Sequence, residues 1–230
     1  MTRTDDIPAR LRAVRRRIAA AADAAGRKPE EVQLLAVSKT VPVEALRAAL
    51  DAGQDCFGES YLSEALDKIA ALERRGCAWH FIGPVQSNKT RRIAEHFDWV
   101  HSVDRLKIAE RLSAQRPDRL PPLNVCLEVN ISGEASKAGL RPADVRETAE
   151  AVVRLPRLRL RGLMAIPAPS RDPARQRAAF AELRRIFDSL NDRGLGLDTL
   201  SMGMSDDLEA AIAEGATIVR VGTAIFGARR

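Results

Sequence analysis

Short β-rich runs alternate with longer amphipathic stretches along almost the whole chain, and this alternation restricts the fold more than any other feature. Parallel strands need crossover helices, and crossovers of one hand carry the chain round in one direction. The first run is Gln33–Val37, followed by Ser38, Lys39 and Thr40 and by a helix opened by Pro42 and closed by Gly53. Cys56 and Phe57 lead into Gly58, Glu59 and Ser60 and a helix carrying Leu62, Leu66 and Ile69. A run over 79–82 precedes Gly83, Pro84 and a helix from about Ser87; one over 99–102 precedes a helix capped by Asp104. The fifth strand spans 123–130 and a long loop, 131–140, follows it. The sixth spans 158–166, after which Asp172 and Pro173 open a long helix, and 200–201 and Ile218–Val221 supply the last two.

Eight such units predict an α/β fold, a single-domain (β/α)8 TIM barrel over residues 1–230; a doubly wound open sheet is the competing architecture. Residues 6–25 read as an extra N-terminal helix, with Ile7, Leu11, Val14 and Ile18 on one face and arginines on the others. Its apolar face lacks bulky aromatics, which favours packing on the barrel over a membrane surface.

With 45% apolar and 30% charged residues the chain has enough apolar content for a core. No window approaches a transmembrane span, and the opening MTRTDDIPARLRAVRRR has charge where a signal peptide needs apolar residues, so a cytoplasmic location is expected. Cys56, Cys77 and Cys126 show neither disulfide pairing nor zinc-ligand spacing. A formal charge of +6 invites a nucleic-acid reading, but aromatics are only 4% and the excess is spread over every segment. Of 37 basic residues only six are lysines, at 28, 39, 68, 89, 107 and 137.

In a barrel the functional face is the C-terminal end of the strands. Lys39 directly follows an apolar strand there, and desolvation at such a place lowers an amine's pKa, as a Schiff-base lysine requires; read alone, it fits better a strand-end lysine reaching out to water. Gly222 and Thr223 follow the last strand, where a glycine lets backbone approach an anion and exposed N–H groups bind it. The loop Ser201-Met202-Gly203-Met204-Ser205 adds hydroxyls, although Ser205 before Asp206 and Asp207 also reads as a helix N-cap. Arg220, among Ile218, Val219 and Val221, needs an anionic or electron-rich partner or a structural ion pair. His80 reads as a core histidine, and His96 and His101 as structural. No Ser-His-Asp or metal-ligand spacing emerges.

An amine, a phosphate cup and a buried arginine together point to pyridoxal 5′-phosphate. The motifs LLAVSKT (34–40), FGES (57–60), WHFIGPVQSNK (79–89), RGLMAIPAP (161–169), SMGMSDDLEAAI (201–212) and VRVGTAIFGAR (219–229) resemble those of the YggS/PROSC family, the pyridoxal phosphate homeostasis proteins. The resemblance implies a barrel like the N-terminal domain of alanine racemase, with Lys39 carrying the cofactor as an internal aldimine. It further implies Arg220 facing the pyridine nitrogen, and Ser201, Ser205, Gly222 and Thr223 around the phosphate with Met204 beside them. Ser60 stands where the family usually has Asn, so the amide contact near the cofactor passes either to the Ser60 hydroxyl or to water.

A cation at the pyridine nitrogen makes the ring a weaker electron sink, and racemisation needs a second acid on the opposite face. The chain has a single tyrosine, Tyr61. The expected function is a monomeric carrier or buffer of pyridoxal phosphate serving apo-enzymes. The alternatives are a weak or specialised amino-acid racemase-like enzyme and a cofactor-free phosphosugar barrel using Lys39 as an aldolase-type lysine. Lys89 and Lys137 fall in loops on the same face, as secondary amines for the cofactor or as solvated charges.

Overall fold

A computed structural model describes residues 4–73, 76–134 and 137–227. The elements run α1 (Ile7–Ala24), β1 (Gln33–Val37), α2 (Val43–Asp51), β2 (Cys56–Glu59), α3 (Leu62–Ala71), β3 (Ala78–Phe81), α4 (Thr90–His96), β4 (Trp99–Val103) and α5 (Leu106–Gln115). They continue with β5 (Leu123–Glu128), α6 (Val145–Val152), β6 (Leu158–Met164), α7 (Pro173–Asn191), β7 (Thr199–Ser201), α8 (Leu208–Ala213), β8 (Ile218–Val221) and α9 (Thr223–Phe226). All eight strands pair in parallel in chain order, and β8 pairs back onto β1 with Leu35 opposite Arg220, so the sheet is a closed barrel. The open doubly wound sheet is thereby set aside.

Strand residues of one parity face the helices: Ala36, Phe57, Trp79, Phe81, Val100 and Val219 join the main apolar core with the buried helix faces. The other parity faces the barrel axis, where Leu35, Cys56 and Ile218 form a small separate cluster with Trp99 against it. The interior above that cluster is polar, holding His80, His101, Ser201 and Arg220.

The N-terminal helix is not an addition to the ring but its eighth member. Among the described residues only the four-residue α9 follows β8, too short to cover a strand. Helix α1 packs between α2 on one side and α8 and α9 on the other, burying Ile7, Leu11, Val14, Ile18 and Ala22. Arginines from α1 and the turn after it fasten the seam: Arg17 pairs with Glu209, and Arg27 donates to the carbonyls of Ile212 and Ala216 at 3.0 and 2.8 Å.

Helix starts depart from expectation in three places. The helix expected from about Ser87 begins at Thr90, whose hydroxyl donates to Ser87 O. Helix α5 has Arg105 as its N-cap in extended backbone, and the Asp104 carboxylate is held by the Arg105 guanidinium instead of capping. Helix α8 starts at Leu208 behind Asp207, leaving Ser205 in the preceding turn. Asp172 does cap α7, accepting from Ala174 N at 2.9 Å. The final Ala228 and Arg229 of the last motif lie outside the described residues.

Candidate functional site

The C-terminal mouth of the barrel gathers the strand-end residues. Lys39 sits half-buried in the turn after β1, and a small cavity there is lined by Lys39, Val37, Val41, Gly222, Thr223 and Phe226. The last strand therefore delivers Gly222 and Thr223 beside the first strand's lysine. A Cβ on Gly222 would stand 3.1 Å from Val37 O, so the close approach of the two strand ends leaves a side chain there little room. In α9 the first internal bonds run from Ile225 and Phe226 to Gly222 O, which leaves the N–H groups of Thr223 and Ala224 outside the ladder. Those are donors an anion can take.

The loop after β7 forms the neighbouring wall. Gly203 O accepts from Arg220 N at 2.9 Å, Met204 N donates to Asp207 Oδ1 at 2.6 Å, and Ser205 O accepts from Arg17 Nη2 at 3.0 Å. The loop is thus pinned from the barrel, from its own helix and from α1. Met204 is exposed and Ser205 half-buried; Ser60 is half-buried at the end of β2.

Arg220 lies under the mouth, buried. Nη1 donates to Ser201 O at 2.5 Å and to Ser201 Oγ at 2.7 Å, and Nη2 donates to Ala165 O at 2.9 Å. Burial pulls its pKa down to about 10, leaving it a cation at neutral pH, and Asp207 and Glu128 oppose that pull. Its partners are carbonyls and a hydroxyl, so the structural ion-pair reading has no support among the described residues. Such a guanidinium is oriented without being neutralised.

The support continues down the axis. Ser201 Oγ lies 2.7 Å from His101 Nδ1, and His101 Nε2 lies 2.9 Å from His80 Nδ1. His80 in turn stacks on Trp99 with ring centroids 5.3 Å apart. Burial pushes the His80 pKa down to about 3; burial, then His80 and Arg220, push His101 well below the usual imidazole range. Both imidazoles are neutral.

The sequence reading groups Ser201 with the phosphate contacts; the structure commits its hydroxyl to Arg220 and His101, as part of the support beneath the arginine. It also makes the two core histidines members of that support. Strand parity carries the signal, since all four side chains occupy inward positions.

Glu128, at the end of β5, is a mouth residue that sequence reasoning missed. Burial, with Asp104 adding to it and Arg220 opposing, pushes its carboxyl up to about 7. It lines a second cavity with Asn130, Lys137 and Ile166, where Lys137 pairs with Glu134 at 3.0 Å. Lys89 is exposed at the head of α4. His96 bonds to Arg92 O within its own helix. Among the described residues no cluster of His, Cys, Asp and Glu could hold a metal ion, and no helix is long and apolar enough to cross a membrane.

Together the mouth offers an amine that can condense with a carbonyl, N–H groups that can take an anion, and an oriented cation. The family model described as alanine racemase, N-terminal domain, matches residues 9–230. A pyridoxal phosphate homeostasis protein of Pseudomonas aeruginosa is 68% identical over 213 residues, covering 93% of this chain and 91% of the relative. One from Escherichia coli is 57% identical over 228 residues, covering 98% and 97%. Among solved structures, PipY of Synechococcus elongatus with PLP bound superposes with a TM-score of 0.83 at 39% identity, covering 96% of this chain and all of that one.

Proposed function

The chain belongs to the YggS/PROSC family of pyridoxal phosphate homeostasis proteins, and from that premise we propose that it binds pyridoxal 5′-phosphate covalently through Lys39 and carries or buffers it. The carrying observation is the juxtaposition of Lys39 with the Gly222–Thr223 cradle above a buried, oriented Arg220. These residues fit the group. The lysine supplies an amine for its carbonyl, Thr223 and Ala224 supply N–H groups for its phosphate with Ser205 beside them, and Arg220 meets its ring nitrogen. Met204 and Ser60 stand at the rim. When bound, the cofactor supplies a carbonyl that condenses with amines and a ring that draws electrons.

Arg220 decides how far that chemistry goes. A permanent cation at the ring nitrogen keeps it unprotonated, which weakens the ring as an electron sink. Such a protein holds the cofactor rather than driving fast turnover. In this reading the chain acts as one barrel domain and as a monomer in the cytoplasm, handing the cofactor to apo-enzymes. Borohydride reduction after loading, followed by peptide mapping, should place the cofactor's mass on Lys39, and Lys39→Ala should abolish it; labelling elsewhere, or undiminished labelling of the variant, overturns the proposal.

One observation favours a second reading, a weak enzyme acting on amino acids: Glu128, with its carboxyl pushed up to about 7, is an acid–base group at the mouth. Amino-acid racemisation faster than that of free pyridoxal 5′-phosphate, removed by Glu128→Gln, would establish it.

A further inference from the structure

We propose that Lys68 and Glu59 form a buried ion pair whose role is to position the turn that carries Lys39; they are positioning residues, and the role rests on Lys39 being the attachment point. Lys68 lies on α3, 3% exposed, with its ammonium directed at the ends of β1 and β2. It has three N–H bonds to give and gives all three: to Ser38 O at 2.6 Å, Glu59 Oε1 at 2.9 Å and Glu64 Oε1 at 2.5 Å.

Each acceptor leads back to the residues flanking Lys39. Ser38 Oγ donates to Glu59 Oε1 at 2.6 Å, and Ser38 N donates to Gly58 O at 2.9 Å. On the other side Thr40 N donates to Glu64 Oε1 at 2.6 Å. Ser38 and Thr40, the two neighbours of Lys39, are therefore both tied to one ammonium and its two carboxylates.

The backbone shows why such a clamp is needed. Thr40 has φ 62°, a left-handed conformation that β-branched residues avoid. Strain of this kind persists only where the surroundings over-determine it. The clamp is also an expensive way to gain stability alone. Glu59 is fully buried, and its Oε2 has no hydrogen-bond partner among the described residues. A buried ion pair generally adds little over an apolar pair of the same volume. Its geometry, with every ammonium proton aimed at the lysine-bearing turn or at the carboxylates that hold it, sets the direction in which the Lys39 side chain leaves the backbone.

The test uses the full chain with two readouts. One is amide hydrogen exchange at Thr40 without cofactor. The other is the rate at which pyridoxal 5′-phosphate becomes borohydride-fixable at Lys39. The double variant Glu59→Gln/Lys68→Met removes both charges at similar volume, and Leu112→Ala, in the core of α5, serves as a control of general destabilisation.

In the double variant Thr40 exchange should rise, and attachment should slow, each by about tenfold or more, while the control leaves both unchanged. Wild-type values of both in the double variant, or equal effects in the control, overturn the proposal. Should the double variant not fold, Glu64→Ala, altered at a partly exposed side chain, must raise Thr40 exchange selectively; unchanged protection refutes the clamp. If the wild-type chain fixes no cofactor at Lys39, the proposed function fails, and the exchange measurement still judges the clamp.

Discussion

Replacing Ser201 with alanine tests the axial support under Arg220 by removing one oxygen from it. The Ser201 hydroxyl accepts from Arg220 Nη1 at 2.7 Å and lies 2.7 Å from His101 Nδ1. With one lone pair taken by the guanidinium, the hydroxyl keeps a proton and a second lone pair for His101, and the contact between His101 Nε2 and His80 Nδ1 takes the complementary tautomer. Arg220 keeps Ser201 O and Ala165 O after the change, so its own loss is small. His101 loses its Nδ1 partner, the only one among the described residues, in a fully buried site, and an orphaned buried group costs about 1–3 kcal/mol. No slack exists further along, since His80 Nε2 has no partner among the described residues.

For a domain of this length each kcal/mol is worth about 2–4 °C in midpoint. Thermal and urea unfolding at pH 7.5 should therefore show a clear loss in Ser201→Ala. His101→Phe in the same background removes the orphaned group, so the double variant should cost less than the sum of the singles, by about 1 kcal/mol. Additive losses, or a Ser201→Ala loss below about 0.5 kcal/mol, would refute the hydrogen-bonded chain.

Glu128 predicts a pH dependence of known sign. Its folded pKa, raised to about 7 from an ordinary 4.5, means that its stabilising contribution is present below the unfolded pKa and is lost as pH rises through the folded one. Relative to wild type, Glu128→Gln should gain stability between pH 4.5 and 7 and level off above, by about 3 kcal/mol at most; a difference flat in pH would contradict the burial argument. Gly162→Ala should destabilise by about 3 kcal/mol or more, because a Cβ there would sit 1.8 Å from Thr199 O across the β6–β7 pair. Urea unfolding measures it, and a near-neutral result would show that those strands can part. Leu11→Ala on α1 should cost about 2–5 kcal/mol, as for any core leucine, whereas a dispensable helix would lose almost nothing.

The barrel was readable from sequence because each strand–helix unit carries its own signal: an apolar run, a turn residue and a periodic face. Asp172 before Pro173 marks a true cap, and its bond to Ala174 N is what that pattern encodes. Asp104 and Ser205 carry the same pattern without the bond, since side-chain competition and tertiary packing decide which polar residue meets an N–H. At the mouth, Lys39, Gly222 and Thr223 were readable because a strand end followed by a reactive or small residue is a local motif. The clamp of Lys68 and Glu59 and the chain from His80 to Arg220 were not. Their members lie far apart in sequence and meet only when the barrel closes, and a lysine within a helix looks the same whether it faces water or a carboxylate. Glu128 differs from other acidic residues only in how much protein surrounds it.

Helix α1 precedes β1 but rests on α8 and α9, which follow β7 and β8. During synthesis at about 5–20 residues per second, its apolar stripe waits on the order of ten seconds or more for the elements that cover it. The strand that ends this wait is β8, which also brings Arg220, Gly222 and Thr223. Burial of α1 and assembly of the Gly222–Thr223 turn beside Arg220 therefore fall together, on the arrival of β8.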